Sequence, residues 1–185
     1  MLLVCVSGMR GSGKSLFSEV GKELGIPTFE MSQNVVDLML KTDILITNYS
    51  LREFSDALRA ERGKDAVARM MVSKLKSDVA ANKSELAIII GIRSPEEVEY
   101  FLSQGFKVKT AAILADEKIR FARVQIRRRP EDAKTIVDFR WADGTELGWG
   151  LGAVLDSSEF KLNNEGTPSE AKKKIADFLR ELQAR

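Results

Sequence analysis

"LLVCVSGMRGSGKS", residues 2–15, runs an apolar segment straight into three glycines, a lysine and a serine. The first five residues are short, continuous and apolar, the pattern of a strand buried on both faces. Gly8, Gly13, Lys14 and Ser15 fit G-x-x-x-x-G-K-[ST] without a mismatch, and a helical pattern follows over 14–24 until Gly25 stops it. Strand, glycine loop and helix in that order form a phosphate cradle. Glycines let successive N–H groups turn inward and approach phosphate oxygens, and the helix start adds its positive dipole end. Gly8, Met9, Arg10, Gly11, Ser12 and Gly13 are therefore expected to wrap a nucleotide. Lys14 is expected to reach its β and γ phosphates, and the Ser15 hydroxyl to ligate Mg2+, which makes ATP and Mg2+ the expected cofactors. The plainer reading is a glycine turn joining strand to helix, and it does not account for the lysine and serine.

The rest of the chain fits a single domain over 1–185. Apolar runs at 26–31, 85–90, 106–114 and 158–162 alternate with helical patterns at 32–41, 50–82, 94–105, 116–129, 131–156 and 167–185. That alternation predicts an α/β fold with a parallel sheet of five strands flanked by helices. "SPEE" (94–97) and "TPSE" (167–170) are helix starts, with Ser94 and Pro95 in the first and Glu97 closing a capping box. Val98, Phe101 and Leu102 are the expected apolar face of the first. Ala171, Ile175, Phe178, Leu179 and Leu182 are that of the second. Pro130 is expected to close the helix that Asp116 caps.

Composition narrows the chemistry. There are 29 basic and 27 acidic residues, a net charge of +2, too balanced to indicate nucleic acid or membrane on its own. The absence of histidine excludes a Ser-His-Asp triad, a Cys-His pair and any histidine-bearing zinc site. One cysteine, Cys5, lies in the first apolar run and reads as a core residue of a protein from a reducing compartment. No run is long enough to span a membrane and no basic leader precedes the first strand, so a cytoplasmic location is expected. GTPases share the loop, but no N-K-x-D motif is present, and "KLNNEG" (161–166) is not one.

Basic residues concentrate in "KIRFARVQIRRRPEDAK" (118–134). At about 100° per residue, Arg120, Arg123 and Arg127 share one helix face. One reading makes Arg123 and Arg127, or Arg128, catalytic cations that reach the transferring phosphate from a closing lid, since fixed cations stabilise its spread charge. The other is a solvated face with cations at a helix C-terminus. "GTELGWGLG" (144–152) holds four glycines in nine residues, either a hinge or a pair of ordinary helix ends. Trp141 and Trp149 flank it as packing residues or base-stacking platforms.

"SGMRGSGKS", "ELGIP" with "MS" after it, "RGKDAVARMM", "GIRSPEEVEYF", "IRFARVQIR" and "DGTELGWGLGAV" occur in the order seen in a known family. Through them the chain resembles an uncharacterised archaeal P-loop kinase-like family related to adenylate kinase and dephospho-CoA kinase. That resemblance implies an adenylate-kinase-like fold, with a small substrate-binding insert at about 32–62 and an arginine-bearing lid at about 128–150. It implies that Arg93 meets the acceptor phosphate, against the alternative of a surface arginine at a strand end. The family's acidic pair would be Asp143 and Glu146.

The chain also departs from such relatives. They carry an Asp after the third strand where this sequence has Ile90, and an Asp and Arg after "MS" where it has Gln33 and Asn34, with Asp37 the nearest acid. Asp116 and Glu30 are the carboxylates that could compensate, although Asp116 also suits a helix cap. The expected activity is transfer of the ATP γ-phosphate to a nucleotide or related phosphorylated small molecule. Two alternatives stay open. One is an ATP-binding switch with weak catalysis. The other, ranked last, is an RNA-linked ATPase or polynucleotide kinase drawing on the arginine cluster.

Overall fold

The structure, a computed structural model, describes residues 1–82, 84–129 and 132–184. The expected stop at Pro130 lies outside the described residues. Five parallel strands form one sheet in the order β2-β3-β1-β4-β5. They are β1 (Leu2–Ser7), β2 (Thr28–Glu30), β3 (Leu86–Ile90), β4 (Lys107–Leu114) and β5 (Phe160–Asn163). The helices are α1 (Ser15–Glu23), α2 (Met31–Met39), α3 (Asn48–Arg62), α4 (Ala66–Asn82) and α5 (Pro95–Ser103), then α6 (Glu117–Arg127), α7 (Ile136–Gly148), α8 (Leu151–Ser157) and α9 (Pro168–Gln183). Among the described helices none is long and apolar enough to cross a membrane.

β1 is central and pairs with β3 from Leu2↔Leu86 to Val6↔Ile90 and with β4 from Leu2↔Lys107 to Ser7↔Ala112. Its side chains alternate between two cores, as the strand period of two requires. Leu3 and Cys5 join a core with Met31, Met71, Leu75, Phe101 and Val154, from α2, α4, α5 and α8. Val4 and Val6 join the opposite core with Phe17, Val20, Ile175 and Leu179, from α1 and α9. Cys5 is fully buried, and burial pushes its thiol well above the ordinary value. It is a core residue, as expected.

Three local expectations need correction. Ser94 does cap α5 by accepting from the Glu97 N–H, but Glu97 does not return to the cap residue. Its carboxylate accepts instead from the Arg93 N–H at 2.7 Å and from Arg59 Nη2 at 2.9 Å, because a buried arginine is the stronger partner. Leu102 is 51% exposed, since α5 turns Phe101 rather than its neighbour to the core. α6 ends at Arg127, two residues short of the expected end near Arg129, with Arg128 left-handed at φ 51°.

The start of α9 carries a full capping box: Thr167 accepts from the Glu170 N–H and Glu170 accepts from the Thr167 N–H. Thr167→Ala should lower stability by about 1 kcal/mol. Phe101→Ala, in the fully buried core, should cost about 3–5 kcal/mol. Urea unfolding followed by circular dichroism reads both, and equal losses would mean that the two sites are packed differently from this description.

Candidate functional site

The loop between β1 and α1 is built around two glycines in the left-handed region, Gly11 at φ 77° and Gly13 at φ 105°. A Cβ on Gly13 would lie 2.2 Å from Asn164 Nδ2, and one on Gly11 2.4 Å from the Arg120 carbonyl oxygen. Both positions therefore need glycine for conformation and for space. Three residues from far along the chain brace the loop. Asn164, just beyond β5, donates Nδ2–H to the Ser12 carbonyl at 2.7 Å. Arg120 donates to the Arg10 carbonyl at 3.1 Å. Arg123 donates to the Ser12 carbonyl at 3.4 Å and to the Asn164 carbonyl at 2.8 Å.

Lys14 folds back over the loop and donates to the Gly8 and Met9 carbonyls. Burial pushes its ammonium down to about 7, the nearby cations Arg93, Arg10 and Arg127 add to the shift, and Glu146 opposes it. Ser15 is exposed at the first residue of α1.

The carboxyl ends of the strands surround this loop, where ligands bind in open α/β sheets. A cavity of about 140 Å³ is lined by Lys14, Ser15, Glu30, Arg93, Arg127 and Glu146, among others. Arg127 thus faces the cleft, with its guanidinium held by Asp132 at 2.6 and 2.9 Å. Arg123 lies outside the cavity lining and acts on the loop itself. Arg93 donates Nη1–H to the Gly91 carbonyl at 2.7 Å, and its Nε lies 3.6 Å from Glu146.

Ile90 also lines the cavity, 4% exposed, and its register partner on β2 is Glu30. Asp116 caps α6 by accepting from the Lys118 N–H and is not in the lining. Gln33 and Asn34 line a separate cavity with Phe29 and Met71. The glycine-rich stretch is the junction of α7 and α8, where Gly150 at φ 111° is the position that needs glycine. Trp141 packs against Tyr49 with 4.8 Å between centroids and the rings tilted by 38°, and Trp149 lies under Arg59 at 4.3 Å and donates its indole N–H to Asp56. The basic patch is smaller than its sequence suggests, because Arg120 is 6% exposed and pairs with Asp143 at 2.7 Å.

Beside the cleft lies a buried charge cluster that periodicity did not reveal. α3 buries Asn48, Arg52, Ser55 and Arg59 along one face. Arg59 pairs with Glu97 at 2.9 Å, and Arg52 lies 3.5 Å from Glu146. The available signal was a polar stripe at 48, 52, 55 and 59, helical spacing on a face where apolar residues are expected. Burial pushes Arg52 down to about 10. Burial acts to raise Glu146, but Arg93, Lys14, Arg52 and Arg10 outweigh it and hold the carboxyl near 2.

A carboxyl held below its unfolded value adds stability that is complete above about pH 4.5 and is lost as pH falls toward 2. Acid unfolding should therefore have a steeper pH dependence between pH 5 and 2 in the wild type than in Glu146→Gln, read as urea midpoints across that range. Parallel curves would show that Glu146 is not held by these cations.

No protein-family model matches the chain. A relative named as a UPF0200 protein from Hyperthermus butylicus is 37% identical over 164 residues, covering 89% of this chain and 86% of the relative. Another UPF0200 protein, from Staphylothermus marinus, is 34% identical over 182 residues, covering 98% and 93%. Among solved structures, shikimate kinase from Bacteroides thetaiotaomicron superposes with a TM-score of 0.60 at 16% identity, covering 100% of this chain and 99% of that one. Dephospho-CoA kinase from Campylobacter jejuni gives 0.59 at 11% identity, covering 98% of each. Identities this low show the fold alone, and that fold is the P-loop kinase arrangement expected from the loop and the strand alternation. The chain belongs to the archaeal UPF0200 family.

Proposed function

We propose that the protein binds Mg-ATP on the loop 8–15 and transfers the γ-phosphate to a nucleotide or related phosphorylated small molecule. The observation that carries this reading is a pair of adjoining cavities. One is lined by Lys14 and Ser15, the other by Arg52, Arg59 and Trp149, and Arg10, Arg93 and Glu146 line both. A donor bound in the first and an acceptor in the second would meet at Arg93.

The residues fit ATP. The positive-φ glycines let the loop curl against Asn164 and Arg120 where a Cβ would collide, and the Lys14 ammonium already occupies a place lined by loop carbonyls. Met9, Arg10, Gly11 and Ser12 supply the loop backbone. Lys14 exchanges those carbonyls for β and γ oxygens, and Arg127 faces them from α6. Arg123 acts as a positioning residue through the Ser12 carbonyl. The Ser15 hydroxyl and the Glu30 carboxylate face one cavity and would hold Mg2+, with Glu30 taking the part that Ile90 cannot. When bound, the metal offsets phosphate charge during transfer.

The competing reading, an ATP-binding switch with weak turnover, rests on Ile90, a buried apolar residue where the family resemblance implies a carboxylate. The RNA-linked reading loses support, because Arg120 and Arg123 are engaged with the loop.

Lys14→Ala should weaken ATP binding at least tenfold, more than about 1.4 kcal/mol. Isothermal titration with magnesium checks this, and unchanged affinity would remove the loop from the mechanism. The pH dependence has a definite sign. The Lys14 ammonium sits near 7 when free, and bound phosphate raises it. Affinity should be flat in the Lys14 contribution below pH 7 and fall by up to about tenfold per unit above it, with proton uptake at pH 8. Titrations in buffers of differing ionisation enthalpy measure the uptake, which Lys14→Ala should lack. Glu30→Gln should abolish the tightening of ATP by magnesium, whereas Ile90→Asp should strengthen it. If Ile90→Asp alone creates turnover, the natural protein is the switch.

A further inference from the structure

The cavity beside the loop is lined by Arg10 from the loop itself and by Arg127 and Arg129 from the end of α6. One carboxylate holds all three. Asp132 Oδ1 accepts from Arg127 Nη2 at 2.6 Å and from Arg10 Nη1 at 3.2 Å. Its Oδ2 accepts from Arg127 Nε at 2.9 Å and from the Arg129 N–H at 2.9 Å. Asp132 is 7% exposed and lines neither of the two adjoining cavities. It therefore acts on a ligand only through the arginines.

These bonds leave Arg127 aimed. It meets Asp132 side-on, through Nε and Nη2, so Nη1 points away from the carboxylate while the residue stays in the cavity lining. Asp132 is in turn placed by the chain around it. Arg128 is left-handed at φ 51°, the one non-glycine residue with positive φ among those described. Such a backbone costs on the order of 1 kcal/mol and persists where its neighbours over-determine it. Here Arg129 and Asp132 exchange two bonds, since the Asp132 N–H also donates to the Arg129 carbonyl at 3.0 Å. The next residue, Ala133, is buried with Val124 and Phe139, and its carbonyl accepts from Gln125 at 2.8 Å. Burial acts to raise the Asp132 carboxyl, but Arg127, the Arg129 N–H and Arg10 outweigh it and hold it below its ordinary value. Loop N–H groups cradle the inner phosphates of a nucleotide, which leaves the outermost one to cations brought from outside the loop.

We infer that Asp132 is a positioning residue: it ties the phosphate loop to the end of α6 and aims Arg127 and Arg129, together with Arg10, at the terminal phosphate of the nucleotide. The inference deepens the proposed function and rests on it for the nucleotide. Two other roles would leave different marks. If Asp132 competed with phosphate for the arginines, removing its charge would tighten binding. If it only steadied the fold, removing it would affect every nucleotide alike.

The probes are Mg-ATP and Mg-ADP, titrated calorimetrically into the intact chain. Asp132→Asn keeps the size of the side chain and turns one acceptor oxygen into a donor. It should weaken Mg-ATP by about tenfold and Mg-ADP by less than about twofold. Tighter Mg-ATP binding would make Asp132 a competitor of phosphate and overturn the proposal. An equal loss for both nucleotides would make its role structural and overturn it as well. Asp132→Glu keeps the charge but displaces it by one methylene, and should still weaken Mg-ATP selectively, by about threefold. An unchanged ratio of the two affinities in that variant would mean that charge suffices without placement, against the proposal. The same variant serves if Asp132→Asn does not fold. In an Arg127→Gln background, Asp132→Asn should cost Mg-ATP less than half the fold-change that it costs the parent, because its main partner is gone. The full loss there would show that Asp132 does not act through Arg127. If neither nucleotide binds the parent, the proposed function fails. Tripolyphosphate against pyrophosphate, which need the cavity but no base, then still reads the arginines, and an equal ratio in parent and Asp132→Asn overturns the inference.

Discussion

Everything in this protein depends on the double pairing of β1. A parallel strand hydrogen-bonded on both edges must be covered on both faces, so its side chains divide between two cores, Leu3 and Cys5 to one and Val4 and Val6 to the other. The chain leaving its carboxyl end then has one way out, through the middle of the sheet rim. The same parallel order brings the ends of the other strands to that rim. β2 delivers Glu30, β3 leads to Arg93, β4 leads to Arg120 and β5 to Asn164. The phosphate loop is therefore surrounded by groups that are distant in sequence, and its shape is a property of the whole sheet.

The second constraint is electrostatic. Arg52, Arg59, Arg120, Glu97, Asp143 and Glu146 are all less than a tenth exposed. Buried ion pairs of this kind contribute little net stability, because desolvation offsets most of their attraction. Their value lies in orientation. Glu97 holds both the Arg93 backbone and the Arg59 guanidinium, so the loop after β3 and the helix α3 share one anchor. The arginines that face the cleft are thus fixed before any ligand arrives, and pre-placed charge is what phosphoryl chemistry uses.

The sheet and the loop were legible because their signals are local. An apolar run, a glycine pattern and a capped helix each lie within a few residues, and "TPSE" and "LLVCV" read correctly for that reason. The arginine site was only half legible. Arg93 stood out at a strand end, but Arg52 and Arg59 acquire meaning only when α3 packs against α7, more than 90 residues away for Arg52 and Glu146. The corrections have the same origin. Glu97 had the spacing of a capping box, and a buried arginine from another helix took its carboxylate instead. Leu102 has the composition of a core residue, but the orientation of α5 is set by Phe101.

The brace from Asn164 to Ser12 spans 152 residues, and that from Arg120 to Arg10 spans 110. β1 leaves the ribosome long before either partner exists. During synthesis the loop has its glycines but none of its outer supports, and it gains them as β4 pairs and then β5 closes the sheet. A nascent chain that stops short of Asn164 therefore lacks the finished loop. The loop's outer supports are therefore among the last parts of the fold to be made, and its geometry is complete only when the sheet is.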